Sequence, residues 1–589
     1  MSSDNRLDNT INTTAPRTLN DVINETTRAY FANIDKTNPP SPSEVERGLL
    51  SDVNDMIAIE NMSIPSIIQK DSDGNIILDK AGNPKKIPLR TPWKYIDRLV
   101  PQQIADAILF FHNIIRIDTA ETNVESEEDL LGVYCNSGDN EGIYDINEST
   151  LYRIVKLYDY QIDKHKFEEV YFILQSQAPR KMRNHDRDLI AVNNGIFNYK
   201  TKTLQPFDPN IVFLAKSRVN YNPNAQLITI HNTDDNTDWD VESWLATLSD
   251  DPEIVDLLWQ MLGAIIRPFV RWNRSIWMYS TTGNNGKGTL CELMRNLCGA
   301  GSYTSISLGD FSKQFALQPL LHCNAIIVDE NDVGKYLDNL ANLKAIVTND
   351  IVQIDRKFKD PISFRFWGFM VQCVNDLPRI RDKSDSFYRR QILIPMEKCF
   401  TGAERKYIKD DYLSRPEVLE YVMKKVLNTD YYDFTIPEKC RNLLGMYKEL
   451  NDPVREFIME FYDKFVWDLV PTEFLYDLFK SWFIRNNPCG KPEGKNNFKK
   501  QLDVILLEPE FNKYWESTTN AVSYNGRTKG AEPLIIQYDL TRWKNPNYKG
   551  SDIDKIATPH FSAFRYRGIL RRPNAPAANT TTDMTAVIQ

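Results

Sequence analysis

The stretch SIWMYSTTGNNGKGTLCELMRNLCG places Gly283, Asn284, Asn285, Gly286, Lys287, Gly288 and Thr289 between a short apolar run and an amphipathic one. Small residues let a backbone turn until its N–H groups face anionic oxygens. A helix opening at the same point adds partial positive charge. A lysine there reaches the β- and γ-phosphates of a nucleoside triphosphate, and a hydroxyl after it ligates Mg²⁺. Lys287 and Thr289 supply those groups. The pattern departs from the usual phosphate loop at Thr281, where glycine is expected, and at Gly288, where a hydroxyl is expected. A Gly/Asn-rich turn capping a helix has the same composition.

Three further groups complete a possible hydrolytic set. Asp329 and Glu330 end the apolar run NAIIVDE. A carboxylate at a strand end can hold Mg²⁺, and the next one can polarise an attacking water. Asn375 ends the run Gly368–Val374, where an amide can position that water or sense the γ-phosphate. Arg389 and Arg390 follow in DSFYRRQILIP. A guanidinium there can stabilise charge transferring in a neighbouring subunit. Each group also has a plainer reading, as solvated acids at a strand end or as a surface arginine pair.

These residues need strands to end together, with helices between them. Residues 236–400 alternate strand-like and helical runs, which predicts an α/β domain with a mostly parallel sheet. The helices VESWLATL and PEIVDLLWQMLGAII open it. Residues 1–44 read as a flexible tail, being rich in Asn, Thr, Ser, Asp and Pro. Residues 45–235 read as an α+β module with hairpins in IIQKDSDGNIILDKAGNPKKIPL, a buried helix after Pro101, and two strands in DLIAVNNGIFNYKTKTLQPFDP. A boundary is expected near 231–240, where acidic residues crowd together. Residues 401–451 read as a helical linker or lid, 452–572 as a third compact unit, and 573–589 as a flexible tail. The fold class is multi-domain α/β.

Composition narrows the function. The 589 residues are 42% hydrophobic and 26% charged, which is enough for several cores and rules out collagen-like or wholly disordered chains. No apolar run reaches a membrane span of about 20 residues, and the N-terminus has no apolar signal segment. The eight cysteines form no C-x-x-C pair and suit a reducing cytoplasm. No H-E-x-x-H occurs. A net charge of −9 means that any nucleic-acid surface must be local.

In this order, the segments GNNGKGT, AIIVDEND, LKAIVTNDIVQIDRKFKDPISFRFWGFMVQCVNDLP and FYRR resemble superfamily 3 helicases. The resemblance is to the phage and plasmid primase–helicase family related to the poxvirus one. It is strongest over 240–400, with weaker similarity upstream to that family's N-terminal module and downstream to its C-terminal winged helix. It implies a AAA+ core forming a homo-oligomer, a hexameric ring, with ATP and Mg²⁺ between subunits and Arg389 or Arg390 reaching into the neighbour. It also implies single-stranded DNA in a central channel, 3′-to-5′ unwinding, and replication of a phage or mobile element in the cytoplasm of a bacterial host. The channel contacts implied are Arg356, Lys357, Phe358 and Lys359, a segment that also reads as a solvated turn. An origin-melting ATPase without processive unwinding, or a bifunctional primase–helicase, remains the alternative. A primase or loader is a possible partner.

The C-terminal unit can be read from its own residues. VREFIMEFYDKF, PTEFLYDLFKSWFIRN and NNFKKQLDVIL are three amphipathic helices, with wing strands expected in LIIQYDL. A helix-turn-helix reading turns Asn497, Lys499 and Lys500 toward duplex or origin DNA, supported by Arg542, Lys544, Lys549, Arg565, Arg567, Arg571 and Arg572. A protein-docking module is the competing reading. Asp71-x-Asp73-x-Asn75 reads as a hairpin turn, not a calcium loop, because glycine and glutamate miss their positions. Asp186-x-Asp188 has no third acid at a recognisable spacing to make a polymerase-like centre.

Overall fold

A computed structural model describes residues 17–35, 37–122, 128–331, 340–378, 380, 385–486, 492–573 and 575. The expected tail at 573–589 lies almost wholly outside them, as does the start of the expected N-terminal tail. The chain is a mixed α/β protein of two compact units. One comprises Met1–Asp332, Asn339–Asn375 and Met396–Thr435, and the other comprises Val333–Asp338, Asp376–Pro395 and Ile436–Gln589. The division does not fall near 231–240. That stretch folds into a hairpin, Ile230–Asn232 against Thr237–Trp239, whose Asn232 amide donates to the Tyr412 hydroxyl at 3.0 Å. The expected linker 401–451 is also split, with Lys406–Asp410 and Pro416–Asn428 in the first unit and Glu438–Leu450 in the second.

Leu19–Ala32 is a helix, not a tail, opened by a reciprocal cap between Thr18 and Asp21. Val22, Ile23 and Phe31 are buried at helical spacing, so polar composition hid a periodic apolar face. The Asp71 side chain accepts backbone N–H bonds from Asp73 and Asn75, the hairpin turn expected from its sequence. The helix Pro101–Phe111 follows its proline and packs Ile104, Ala105 and Ile108 into the core. Next comes a mixed sheet in the order Tyr144–Asp145, Leu130–Tyr134, Ile114–Asp118, Arg180–Met182. Residues 189–205 form three strands, not two: Leu189–Val192, Gly195–Asn198 and Thr203–Gln205. A tight turn at Asn193–Asn194 divides the first expected strand in two.

Beyond this module, parallel strands lie side by side in the order Tyr303–Thr304, Ala325–Val328, Phe369–Val374, Ser275–Tyr279. Their residues are mostly buried hydrophobics, as a sheet covered on both faces requires. The strands Ile351–Arg356 and Lys359–Arg365 form a separate antiparallel hairpin.

The second unit is built on aromatic packing. Phe457, Phe461, Phe465, Trp467, Phe474, Phe479, Phe498 and Trp515 share one buried cluster. The three expected helices are present as Pro453–Phe461, Thr472–Asn486 and Lys495–Ile505. LIIQYDL supplies no strand: Leu534–Gln537 is a short helix. The antiparallel sheet comes instead from Leu469–Pro471, Gly568–Arg571 and Trp515–Ser517. These segments are too short and too distant in sequence to show as a hairpin.

Candidate functional site

The parallel strands bring three expected groups to one edge. Tyr279 pairs with Val374, and Val328 is opposite Gln372, so the residues just after these strands meet at their carboxyl ends. That edge is where open α/β sheets hold ligands. The loop after Tyr279 turns at Asn284 and Gly286, both with positive φ. A Cβ at Gly286 would lie 2.7 Å from Leu248, so glycine is required there for space as well as for conformation. The helix Lys287–Cys298 then begins with no side-chain cap, which leaves first-turn N–H groups for an anion.

Lys287 is buried, and its ammonium donates to Asn375 Oδ1 at 2.8 Å, with the Ser280 and Val374 carbonyls at 3.4 and 3.5 Å. Burial pulls its pKa below the ordinary lysine value, opposed by the nearby thiol of Cys373 and the charge of Asp329. The lysine is therefore poorly solvated and held by one amide oxygen and two backbone carbonyls. Its contact with Asn375 joins two sequence-predicted residues directly.

The departure at Gly288 has a structural reason. A Cβ there would stand 3.0 Å from one Asp329 oxygen and 3.3 Å from the other. Glycine lets the acidic strand end approach the first turn of the helix. Among the described residues Asp329 has no hydrogen-bond or ion-pair partner in the chain, and it offers hard oxygen ligands of the kind Mg²⁺ takes. Glu330 beside it is exposed. Behind Asp329, Cys291 Sγ and Cys373 Sγ are 3.4 Å apart. Their mutual contact, with burial, raises the Cys373 thiol well above its usual pKa, so Cys373 packs as a protonated small side chain.

The asparagines brace the loop. The buried Asn285 amide donates to the Thr282 carbonyl and its oxygen accepts the Lys287 N–H at 3.3 Å. Asn284 donates to Glu404 at 2.8 Å, and its carbonyl accepts the Phe400 N–H at 2.7 Å. Those contacts border a cavity of about 660 Å³ that sequence reasoning missed. Trp244, Leu248, Phe400, Gly286 and Thr289 line it, with Arg405 and Lys406 also in its wall. Its size and apolar lining suit a planar base beside the phosphate loop. Trp239 in the acidic boundary stretch and Trp244 just after it were the available signal. Thr289 thus borders this cavity, while Gly288 is the helix residue that faces Asp329.

Arg389 and Arg390 belong to the second unit. Arg389 is exposed, and Arg390 donates to the Ser386 carbonyl of its own turn. Tyr388 in this turn packs edge-on to Tyr447, whose hydroxyl donates to the Pro378 carbonyl at 2.6 Å.

The expected DNA residues form a hairpin tip. Phe358 has φ +61° and is 94% exposed, an unusual position for a phenylalanine. Lys357 stands over its ring at 5.1 Å, and Arg356 donates to the Asp360 carbonyl at 2.9 Å. Lys359 is held by Glu148, so it is the least available of the four.

In the helix Lys495–Ile505, Phe498, Leu502 and Ile505 are buried while Asn497 and Lys500 are exposed and Lys499 is half-buried. The wider basic surface is smaller than its sequence suggests. Arg542 and Lys495 both bind Glu473, Lys544 binds Asp539, Arg571 binds Asp468, and Arg572 binds Glu516.

Three family models match the chain: "D5 N terminal like" over residues 135–249, a family of unknown function over 278–390, and "Poxvirus D5 protein-like" over 449–536. Among solved structures, three apo structures of the C-terminal region of NrS-1 align with it. Their identities are 13%, 13% and 15%, and each alignment covers 73% of this chain and 98% of the other. The TM-scores of 0.36, 0.38 and 0.38 are too low for these alignments to carry further argument.

Proposed function

The chain belongs to the D5-like primase–helicase family, and from that premise we propose that it is an ATP-dependent DNA helicase of a phage or mobile element, working 3′ to 5′ in that element's replication. The observation that carries the reading is the contact of Lys287 with Asn375 at the strand ends, with Asp329 facing the helix start across Gly288. The core is read as AAA+ and the second unit's helices and sheet as a winged-helix-like module.

ATP lies with its base in the cavity beside Trp244 and Phe400 and its phosphates on the helix start. Lys287 leaves Asn375 for the β- and γ-phosphates, freeing the Asn375 amide to orient the attacking water. Glu330 accepts that water's proton. Asp329 would hold Mg²⁺, which supplies charge neutralisation on the phosphate oxygens. Thr289 is the hydroxyl available for the same ion. Subunits assemble as a ring, a hexamer, and Arg389 or Arg390 enters the neighbour's site. Single-stranded DNA runs past the Phe358 tips, where an aromatic ring stacks on a base or sugar and Arg356 and Lys357 meet phosphates. Lys499 and Lys500 contact duplex or origin DNA.

Strand displacement on forked DNA with one 3′ or one 5′ single-stranded arm, with ATP and Mg²⁺, tests the reading. Opening of the 3′-armed fork alone, lost in Lys287→Ala, is expected. Hydrolysis without displacement of either fork would move the assignment to an origin-melting ATPase. Hydrolysis that survives in Lys287→Ala would remove the site itself.

A further inference from the structure

A second cavity of about 470 Å³ lies in the first unit, away from the phosphate loop. Its walls come from segments distant in sequence: Glu121, Arg187, Arg271, Arg365, Trp367 and Tyr432. The charge around it is unbalanced. Arg187 stands over the Tyr432 ring at 4.1 Å and Arg271 over the Trp367 ring at 5.2 Å, and among the described residues neither has a carboxylate partner. Glu121 is shared three ways, with Arg183 at 3.2 Å, Arg365 at 3.4 Å and the Trp367 indole N–H at 2.6 Å. Asp188 accepts the Tyr432 hydroxyl at 2.6 Å, and Asp118 is held by Arg180 at 3.0 Å. Further back, the fully buried Arg267 faces four aromatic rings and donates to the Tyr431 carbonyl at 2.8 Å, while its Nε and other Nη have no hydrogen-bond partner among the described residues. Apart from the Arg180–Asp118 pair, five arginines thus cluster about the fully committed Glu121 and about Asp188, which accepts the Tyr432 hydroxyl. A guanidinium attracted to a ring face spends no N–H group on a carboxylate, so its donors are left to receive planar or tetrahedral oxyanions.

The location adds a second line of argument. Arg365 ends the strand Lys359–Arg365 that rises to the Phe358 tip. Its N–H donates to the Thr119 carbonyl at 3.0 Å, and the Thr119 hydroxyl donates to the Ser363 carbonyl at 2.8 Å. The cavity therefore lies at the foot of the exposed hairpin, where the hairpin is fastened to the N-terminal sheet.

We propose that this cavity is a second anion site, in which Arg187, Arg271 and Arg365 receive a phosphate group carried by single-stranded DNA or by a free nucleotide. It is independent of the nucleotide reading at Lys287, because it shares no residue with that site. The volume falls within the range of small-molecule sites, so a nucleotide unit is accommodated and not merely an ion.

The test uses the full chain and the double variant Arg187→Glu/Arg271→Glu, whose side chains hold no structural ion pair. Two probes separate the sources: a fluorescent oligothymidylate of about 20 nucleotides, and ATP titrated by calorimetry into proteins that also carry Lys287→Ala. If DNA supplies the phosphate, oligonucleotide affinity falls about tenfold and the log K against log salt slope loses about 1.4, two contacts at about 0.7 each. If a nucleotide supplies it, ATP binding seen in Lys287→Ala disappears in the triple variant while oligonucleotide binding is kept. Unchanged affinity, slope and ATP binding overturn the proposal. Melting temperature and DNA-independent hydrolysis guard against misfolding. Should the double variant melt early, Arg271→Gln alone is read by the same two probes, with a slope loss of about 0.7 for one contact.

Discussion

The phosphate-loop edge of the first unit and the helix–sheet module of the second differ in where they keep their polar chemistry. At the loop, the groups proposed to act are interior: Lys287 and Asn285 are buried, and a Cβ at Gly288 would stand 3.0 Å from Asp329. In the second unit the interior is aromatic and the charged groups expected to meet DNA, half-buried Lys499 and exposed Lys500, lie outside the buried stripe of Phe498, Leu502 and Ile505. The first arrangement concentrates function in groups whose positions depend on one another. The second separates stability from binding, so each can be changed alone.

The largest test of that contrast is Lys287→Ala. Hydrolysis should fall at least a thousandfold, on the order of 4 kcal/mol in the transition state, while the melting temperature holds or rises because a desolvated charge is removed. A stability loss in step with activity would break the contrast.

Phe498→Ala should do the opposite. Deleting a fully buried ring costs about 3–5 kcal/mol of second-unit stability, read by chemical denaturation. Loss of DNA binding without unfolding would mean that the ring serves the surface directly.

Glu532 is the one buried acid that sharpens the comparison inside the second unit. Burial raises its pKa to about 7, and its Oε2 accepts the Val466 N–H at 2.9 Å. It is neutral in the folded chain up to about pH 7 but ionises near 4.5 when unfolded. Its stabilising contribution is therefore full below pH 4.5 and is lost as pH rises through 7, a change on the order of 3 kcal/mol. Denaturation midpoints at pH 6 and 8 should differ, and Glu532→Gln should reduce the difference.

Phe358→Ala should weaken single-strand binding by about 1–3 kcal/mol with no loss of melting temperature, since the ring is exposed. The smallest effect belongs to Lys499→Ala and Lys500→Ala. Each should lower the salt slope of duplex binding by about 0.9 and leave single-strand binding alone. Equal losses on both DNAs would remove the division of labour between hairpin and helix.

Much of the site was legible because its signals are local. GNNGKGT, NAIIVDE and the run ending at Asn375 each declare a strand end by hydrophobicity and the turn residues that follow. The helix Leu19–Ala32 was not legible because its apolar face is sparse among polar residues, although the Thr18–Asp21 cap was readable. LIIQYDL looked like a strand because isoleucine and tyrosine favour strands. Pro533, just before it, opens a short helix instead, whose Leu534 and Ile535 are buried against the aromatic core.

The sequence by itself determined the kinds of chemistry: a lysine in a small-residue loop, carboxylates and an amide after apolar runs, an aromatic among cations. Those follow from residue type and nearest neighbours. Only the tertiary structure decided that Lys287 rests on Asn375, that Gly288 makes room for Asp329, that Lys359 is claimed by Glu148, and that arginines from three separate segments share one cavity with a single overcommitted glutamate. Burial and proximity between distant segments come from how strands order in a sheet and which faces meet. No local pattern of residues encodes that order.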